Sequence, residues 1–298
     1  MHEGRFGSRN APVVSCAKFS PPFHFDSEEG LYVGGQFWDG RAETLEEQAR
    51  QPLLNPVEMA NPSPAAVVEK VRKADYADEL KTQVGESVFN DDDKRYDAIA
   101  SAIAAFERTD AMSPFTSRYD YFLDGKAELT EKETLGLELF EREDKGNCAA
   151  CHPSQRGKDG SKPLFTDFTY DNLGVPSNTE NPHLRNHPEF NPHGDAFVDP
   201  GLGGESGVNK ASEHGKFKVP TLRNIAQSGP YMHKGVFVSL EEVVDFYNTR
   251  DSEPARWDAP EVAANVNDGE LGDLGLADAE VDAIVAFMET LTDGHEPK

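Results

Sequence analysis

The pentapeptide Cys148-Ala149-Ala150-Cys151-His152 constrains this chain of 298 residues more than any other stretch. It has the form C-x-x-C-H, the attachment site of a c-type haem. The two thiols bond covalently to the porphyrin, and the adjacent His152 lies beneath it as a ligand of the iron. A zinc site needs further ligands at matching spacing, and the only other cysteine, Cys16, stands alone. The motif therefore predicts one covalent haem c, which carries electrons or activates an oxidant.

Composition limits the partners of the chain. The net charge of −25 argues against binding to nucleic acid or to an anionic membrane surface. No apolar run is long enough to cross a membrane. Haem is attached to this motif outside the cytoplasm, so we expect a periplasmic protein. The first residues show no signal-like pattern, and we expect that a signal was removed or that the chain begins inside a longer protein.

Hydrophobic periodicity predicts a mostly α protein with long loops. The predicted helices cover residues 44–51, 63–73, 75–82, 96–108, 130–142, 239–247 and 277–291. Thr44, Thr130 and Ser239 each precede a glutamate by three residues, the pattern of a capping box. Residues 1–40 and 153–216 are rich in turn-forming residues and read as irregular loop, and 216–219 reads as a short ribbon.

A faint internal repeat suggests two related domains. The sequence AIAAF at 102–106 resembles AIVAF at 283–287. Small c-type cytochrome domains cross an opening helix over a closing helix at a glycine and an aromatic residue, which Gly136 and Phe140 would supply. We therefore predict two cytochrome c-like helical domains. The domain at 1–112 is incomplete, because it lacks an opening helix and a haem motif, and the domain at 113–298 carries the covalent haem.

Six further segments occur in a characteristic order. They read RNAP at 9–12, QFWDGRA at 36–42, LEEQA at 45–49, NPVEM at 55–59, FKVPTLRN at 217–224 and PYMHKG at 230–235. With the haem motif, they resemble the bacterial dihaem cytochrome c peroxidase family, which includes the MauG-type enzymes that oxidise tryptophans of a partner protein. The resemblance implies a haem-dependent oxidoreductase that reduces hydrogen peroxide. Its electrons would come from a small c-type cytochrome or a cupredoxin and pass through a c-type haem.

The resemblance also implies roles for three residues of the first domain. Trp38 would lie between two haems as an electron relay, and Gln48 and Glu58 would face the peroxide site. A carboxyl group suits that site, because cleavage of the O–O bond needs a proton moved from one oxygen to the other. Without the resemblance, Trp38 would be taken for a core aromatic residue, and Gln48 and Glu58 for surface residues.

The second axial ligand of the haem, opposite His152, is left open between two residues. The helix at 240–247 resembles the family helix that carries this ligand, and Tyr247 stands where MauG-type enzymes have tyrosine and other family members have methionine. Met232 is the competitor. A thioether favours ferrous iron, whereas a phenolate favours higher oxidation states, so this residue bears on the reaction.

Family members also bind a calcium ion between their domains. The matching ligands are the Asn10 side chain and the carbonyl oxygens of Ser228 and Pro230, which suit calcium. Many family members form homodimers, so the resemblance implies that this chain does so as well. The family has a first haem motif upstream of residues 9–12, which this chain lacks. We therefore expect the chain to be part of a longer protein with two haems.

Two classes of function remain at this point. One is an enzyme, either a peroxidase or a MauG-type oxidase of a partner protein. The other is a single-haem electron-transfer protein without peroxidase activity. Trp38, Gln48 and Glu58 favour the enzyme, because a carrier has no use for a proton-transferring carboxyl group beside a haem. The missing first haem motif favours the carrier.

Overall fold

The computed structural model describes residues 4–205 and 207–297, with the side chains of residues 92 and 93 excepted. That part of the chain is mostly helical with long connections, as the sequence predicts. The helices are α1 (Leu45–Leu54), α2 (Pro64–Arg72), α3 (Ala77–Val84), α4 (Glu86–Phe89), α5 (Asp92–Glu107), α6 (Arg118–Leu123), α7 (Glu131–Glu141), α8 (Leu240–Thr249) and α9 (Asp278–Glu289). The strands are β1 (His24–Asp26), β2 (Leu31–Val33), β3 (Tyr170–Asp171) and β4 (Phe217–Lys218).

Helices α7 and α9 cross at Gly136. A Cβ atom there would stand 1.9 Å from the carbonyl oxygen of Ala283, so only glycine allows this approach. Beside the crossing, the rings of Phe140 and Phe287 pack edge to face with centroids 5.1 Å apart. The predicted crossing at Gly136 and Phe140 is confirmed, and it forms the centre of the larger hydrophobic core.

A second hydrophobic cluster lies in the first third of the chain. Helices α1, α2 and α5 bury Leu53, Val68 and Tyr96 against one another. The Tyr96 hydroxyl donates to the carbonyl oxygen of Arg50 at 2.7 Å and so fixes α5 to α1. These helices form one wall of the site described below. The domain boundary at residue 112 stays a prediction.

The segment 4–41, called the N-terminal segment below, lies against loops of the second half of the chain. The Asn10 N–H donates to the carbonyl oxygen of His233 at 2.7 Å, and Asn181 donates to the carbonyl oxygen of Ser8 at 2.8 Å. Within this segment, β1 and β2 pair as an antiparallel hairpin. The prediction of irregular loop over residues 1–40 is wrong there, because three-residue strands are too short to show an alternating pattern.

Candidate haem site

The haem motif forms a tight turn after α7. Cys148–Ala150 is a single turn of 3-10 helix, and Asn147 before it has a left-handed backbone with φ of 49°. The His152 N–H donates to the carbonyl oxygen of Cys148 at 2.9 Å and closes the turn. Cys148 and Cys151 are free thiols, and burial raises the pKa of each to about 12. The turn therefore presents two protonated thiols, three positions apart in the chain, to one cavity.

The imidazole of His152 is oriented by the loop that follows it. Its Nδ1 lies 2.8 Å from the carbonyl oxygen of Phe165, and this contact assigns the ring proton to Nδ1. Burial lowers the pKa of His152, which keeps the ring neutral. Its Nε2 is then an unprotonated donor for a metal, oriented as axial histidines are.

Both candidates for the second ligand also border this cavity. Tyr247 lies on α8, and Met232 lies in the preceding loop with a left-handed backbone of φ 69°. Both line the same cavity as His152. Burial raises the pKa of the Tyr247 phenol well above its usual value, and within the described ranges no group forms a hydrogen bond with its hydroxyl. The phenol is thus available to a ligand in the cavity.

This first cavity, of ≈ 290 Å³, is bounded by Cys148, Cys151, His152, Met232 and Tyr247 and has a largely apolar lining. Its donor set fits a c-type haem. It offers two thiols at the required spacing, an imidazole with one free nitrogen, and a thioether and a phenol in the same lining. An apolar lining suits a porphyrin, whose faces are hydrophobic.

Trp38 lies between this cavity and a second one. The indole is half-buried, and it lines both cavities. Its Nε1–H donates to the carbonyl oxygen of Asn10 at 2.8 Å, and its own carbonyl oxygen accepts from the Lys218 N–H at 2.8 Å. Asn10 therefore orients the indole ring, and Lys218 holds the backbone of Trp38 in place.

The second cavity is a large cleft of ≈ 1750 Å³ lined by helices α1, α2 and α5. Gln48 and Glu58 line it together, as the sequence predicts for residues that act at one site. Burial raises the pKa of Glu58, although Arg41 opposes this effect. The residues that line this cleft in the described part of the chain include no cysteine.

The candidate calcium ligands lie close together. The Asn10 side chain donates from Nδ2 to the carbonyl oxygen of Pro230 at 2.6 Å, and Ser228 and Pro230 both border the first cavity. A cation would require the amide to turn its oxygen toward Pro230. The structure brings the predicted groups together, and calcium at these residues stays a prediction.

A cluster of charged residues beside Trp38 was not found by reasoning from the sequence. Arg9 donates to both Asp39 and Asp199, Arg41 donates to Asp39, and the Glu205 carboxyl group hydrogen-bonds Asp39. We call Asp39, Asp199 and Glu205 with these two arginines the carboxylate cluster. Arg9, Asp39 and Arg41 lie in the quoted segments, but nothing in the sequence links them to Glu205.

Within the described residues, no helix is both long and apolar enough to cross a membrane.

The family model for di-haem cytochrome c peroxidase matches residues 1–128. The methylamine utilization protein MauG of Paracoccus denitrificans is 41% identical over 96% of this chain and 75% of the relative. The cytochrome c551 peroxidase of Nitrosomonas europaea is 34% identical over 82% of this chain and 59% of the relative.

Solved structures agree with these relatives. The crystal structure of the diheme peroxidase BthA from Burkholderia thailandensis superposes with a TM-score of 0.86 at 36% identity, covering 98% of this chain and 74% of that one. A MauG-like protein associated with microbial copper homeostasis superposes with a TM-score of 0.65 at 29% identity, covering 96% and 76%. The chain therefore belongs to the dihaem cytochrome c peroxidase and MauG family, a family of haem c oxidoreductases, and is itself a peroxidase-like enzyme.

Proposed function

We propose that the protein reduces hydrogen peroxide at the second cavity, with electrons that enter through a haem c bound to Cys148 and Cys151. The reaction converts one peroxide, two electrons and two protons into two waters. The observation that carries this proposal is the position of Trp38. One indole lines both the cavity with the haem-binding turn and the cavity with Gln48 and Glu58.

When bound, haem supplies the one-electron redox chemistry, and the residues of the chain hold it and control access to it. His152 and Tyr247 both line the first cavity and would hold the haem iron there, with Met232 as the alternative to Tyr247. A haem with both axial positions filled transfers electrons rather than binding peroxide. We therefore assign electron entry to the first cavity and peroxide chemistry to the second.

Glu58 is proposed to move the proton between the two peroxide oxygens. Its raised pKa keeps the proton on the carboxyl group at a higher pH than an exposed glutamate would. The amide of Gln48 borders the same cavity and can donate a hydrogen bond to the bound peroxide. A proton-transferring carboxyl group is worth about 10²–10⁴-fold in rate.

Other properties rest on the family alone. We propose a small c-type cytochrome or a cupredoxin as the electron donor, a periplasmic location, and calcium at Asn10, Ser228 and Pro230. A second haem in the second cavity is also part of this proposal. The pairing of two such chains as a homodimer stays a prediction.

The test is a Glu58→Gln variant of the haem-loaded protein, assayed for peroxide turnover with a reduced c-type cytochrome. We expect the rate to fall by about 10²-fold or more, because glutamine cannot transfer the proton. Glu43→Gln is the matched control, since Glu43 is an exposed glutamate on the same stretch of chain, outside the lining of both cavities. Equal rates for Glu58→Gln and the unaltered protein would exclude Glu58 as the proton-transferring group.

A second candidate is oxidation of a partner protein in the manner of the MauG-type enzymes. Tyr247 favours it, because its phenol lines the same cavity as His152, and MauG-type enzymes carry tyrosine at the matching position. The assay separates the two candidates. A protein that reacts with peroxide but does not turn over reduced cytochrome would favour the MauG-type reaction.

A further inference from the structure

The carboxylate cluster contains more carboxyl groups than cations in direct contact with them. Arg41 Nη1 donates to Asp39 at 2.9 and 3.0 Å, and Arg9 donates to Asp199 at 2.7 and 2.8 Å while also contacting Asp39. Two guanidinium groups thus face three carboxyl groups. Both contact Asp39, and neither forms an ion pair with Glu205.

A shared proton resolves this imbalance. Asp39 is 2% exposed, and two ionised carboxylates in hydrogen-bond contact repel each other strongly at such a position. Burial raises the pKa of Asp39, but Arg9 and Arg41 outweigh burial and leave that pKa below its usual value. Burial and the contact with Asp39 raise the pKa of Glu205 to about 7. Glu205 is therefore the member that holds the proton and donates it to Asp39.

Two further titratable groups act on the pair from the second half of the chain. The Tyr170 phenol is buried, and the charges of Asp39 and Glu205 help to raise its pKa, so it stays neutral. Burial lowers the pKa of Lys218 to about 8, and its Nζ donates to the carbonyl oxygen of Gly35 at 2.5 Å rather than to either carboxyl group. Neither group removes the need for a proton between Asp39 and Glu205.

The location of the pair connects it to the chemistry. Asp39 and Glu205 both line the second cavity, together with Gln48 and Glu58. Asp39 also directly follows Trp38 in the chain. Peroxide reduction takes up two protons at this cavity, whereas the proton that Glu58 moves between oxygens is only relocated. Protons must therefore reach the cavity from another group.

We propose that Glu205, hydrogen-bonded to Asp39, stores a proton at the wall of the second cavity and releases it when peroxide is reduced there. The O–H bond of Glu205 breaks and its proton joins one oxygen released from peroxide. The second proton comes from solvent, and the two electrons come from the donor through the haem c. Solvent then restores the proton to Glu205. This step rests on the proposed function, and Glu205 acts in it as a proton donor.

The first measurement needs no peroxide. Infrared spectra of the haem-loaded protein over a pH range should show the carbonyl band of a protonated carboxyl group that disappears as the pH rises through about 7. The Glu205→Gln variant should lack this band, and the control Glu29→Gln, an exposed glutamate in the β1–β2 turn, should keep it. A band that persists in Glu205→Gln, or no band in the unaltered protein, would overturn the assignment.

The second measurement follows haem oxidation by peroxide in a single turnover, one pH unit below and one above 7. In the unaltered protein, haem oxidation should be slower above pH 7 than below it. In Glu205→Gln, haem oxidation should be slower by on the order of tenfold, and its rate should no longer depend on pH. Glu205→Asp retains a carboxyl group, so it should recover part of the rate and part of the pH dependence. An unchanged pH dependence in Glu205→Gln contradicts proton release. If the band is present but the protein does not react with peroxide, the proposed function fails together with the release step, while the shared proton stands.

Discussion

Covalent chemistry makes some residues of the site readable from sequence. Haem attachment fixes the spacing of Cys148, Cys151 and His152, so five consecutive residues suffice to predict them. The sequence does not decide between Tyr247 and Met232 as the second ligand of the iron. Both border the first cavity, so the choice depends on side-chain distances within the folded protein that no local pattern encodes. Glu205 left no sequence signal, because its partner Asp39 lies in a distant segment.

Replacing Tyr247 with phenylalanine should separate the two candidate ligands. The phenol makes no hydrogen bond within the described part of the chain, so its loss leaves no protein group unpaired. If Tyr247 binds the iron, the ferric absorption spectrum should change and a coordination position should open to added cyanide or azide. Absorption spectroscopy of the haem-loaded variant checks this outcome.

Met232→Leu is the matched control, since it removes a sulfur donor from the same cavity and keeps the side-chain volume similar. It should leave the ferric spectrum unchanged. A spectrum that changes in Met232→Leu and not in Tyr247→Phe would assign the ligand to Met232.

At the scale of elements, capping residues predicted helix positions well. Thr130 and Ser239 begin α7 and α8 with complete capping boxes. Thr44 caps α1, but the Glu47 carboxylate accepts from the Glu43 N–H instead of closing the box. Helix α6, only six residues long, was missed, because one and a half turns are too short to show helical periodicity.

The crossing of α7 and α9 gives a prediction about stability. Gly136→Ala would place a methyl group against the carbonyl of Ala283, so the helices must separate. We expect a loss of about 1–3 kcal/mol in the free energy of unfolding. Gly269→Ala is the control, because nothing lies within 4 Å of a Cβ atom there, and it should stay within about 0.5 kcal/mol. Urea unfolding of both variants measures the difference, and equal stabilities would contradict the close crossing.

Helix α6 is tied to the core by a buried ion pair that should make stability depend on pH. Asp120 accepts two hydrogen bonds from Arg223, at 2.9 and 2.8 Å, and both side chains are at most 1% exposed. Burial raises the pKa of Asp120, but Arg223 and Ser117 outweigh it and hold the pKa below the usual 3.8. The pair's contribution is therefore complete above pH 3.8 and is lost as the pH falls through the lower pKa of the folded state.

Asp120→Asn should lower the free energy of unfolding by about 3–5 kcal/mol near neutral pH, because it leaves Arg223 buried and unpaired. The difference from the unaltered protein should shrink in acid. Asp144→Asn, which breaks an exposed pair with Arg142, should leave the free energy of unfolding nearly unchanged. Denaturant unfolding at neutral and acidic pH tests both. A difference for Asp120→Asn that does not change with pH would contradict the lowered pKa.

At the scale of the whole molecule, hydrophobic periodicity and the ordered segments predicted the fold class and the family. They did not predict how the N-terminal segment lies over the second half of the chain. Arg9 and Asp199 are 190 positions apart, and no local pattern encodes such a contact. The bonds from Trp38 to Asn10 and Lys218 arise in the same way. The contacts that bring the two cavities together thus arise only in the tertiary structure.

The position of the N-terminal segment has a consequence for the order of folding. Its partners around Asn181, Asp199 and His233 leave the ribosome long after it does, so the residues of this segment must wait for their contacts. Closing loops of this length costs chain entropy before any contact is gained, which slows folding. The indole of Trp38 reaches its final place only when Asn10 and Lys218 have both arrived. The proposed electron path through Trp38 is therefore expected to form late, after the haem-binding turn and its core are built.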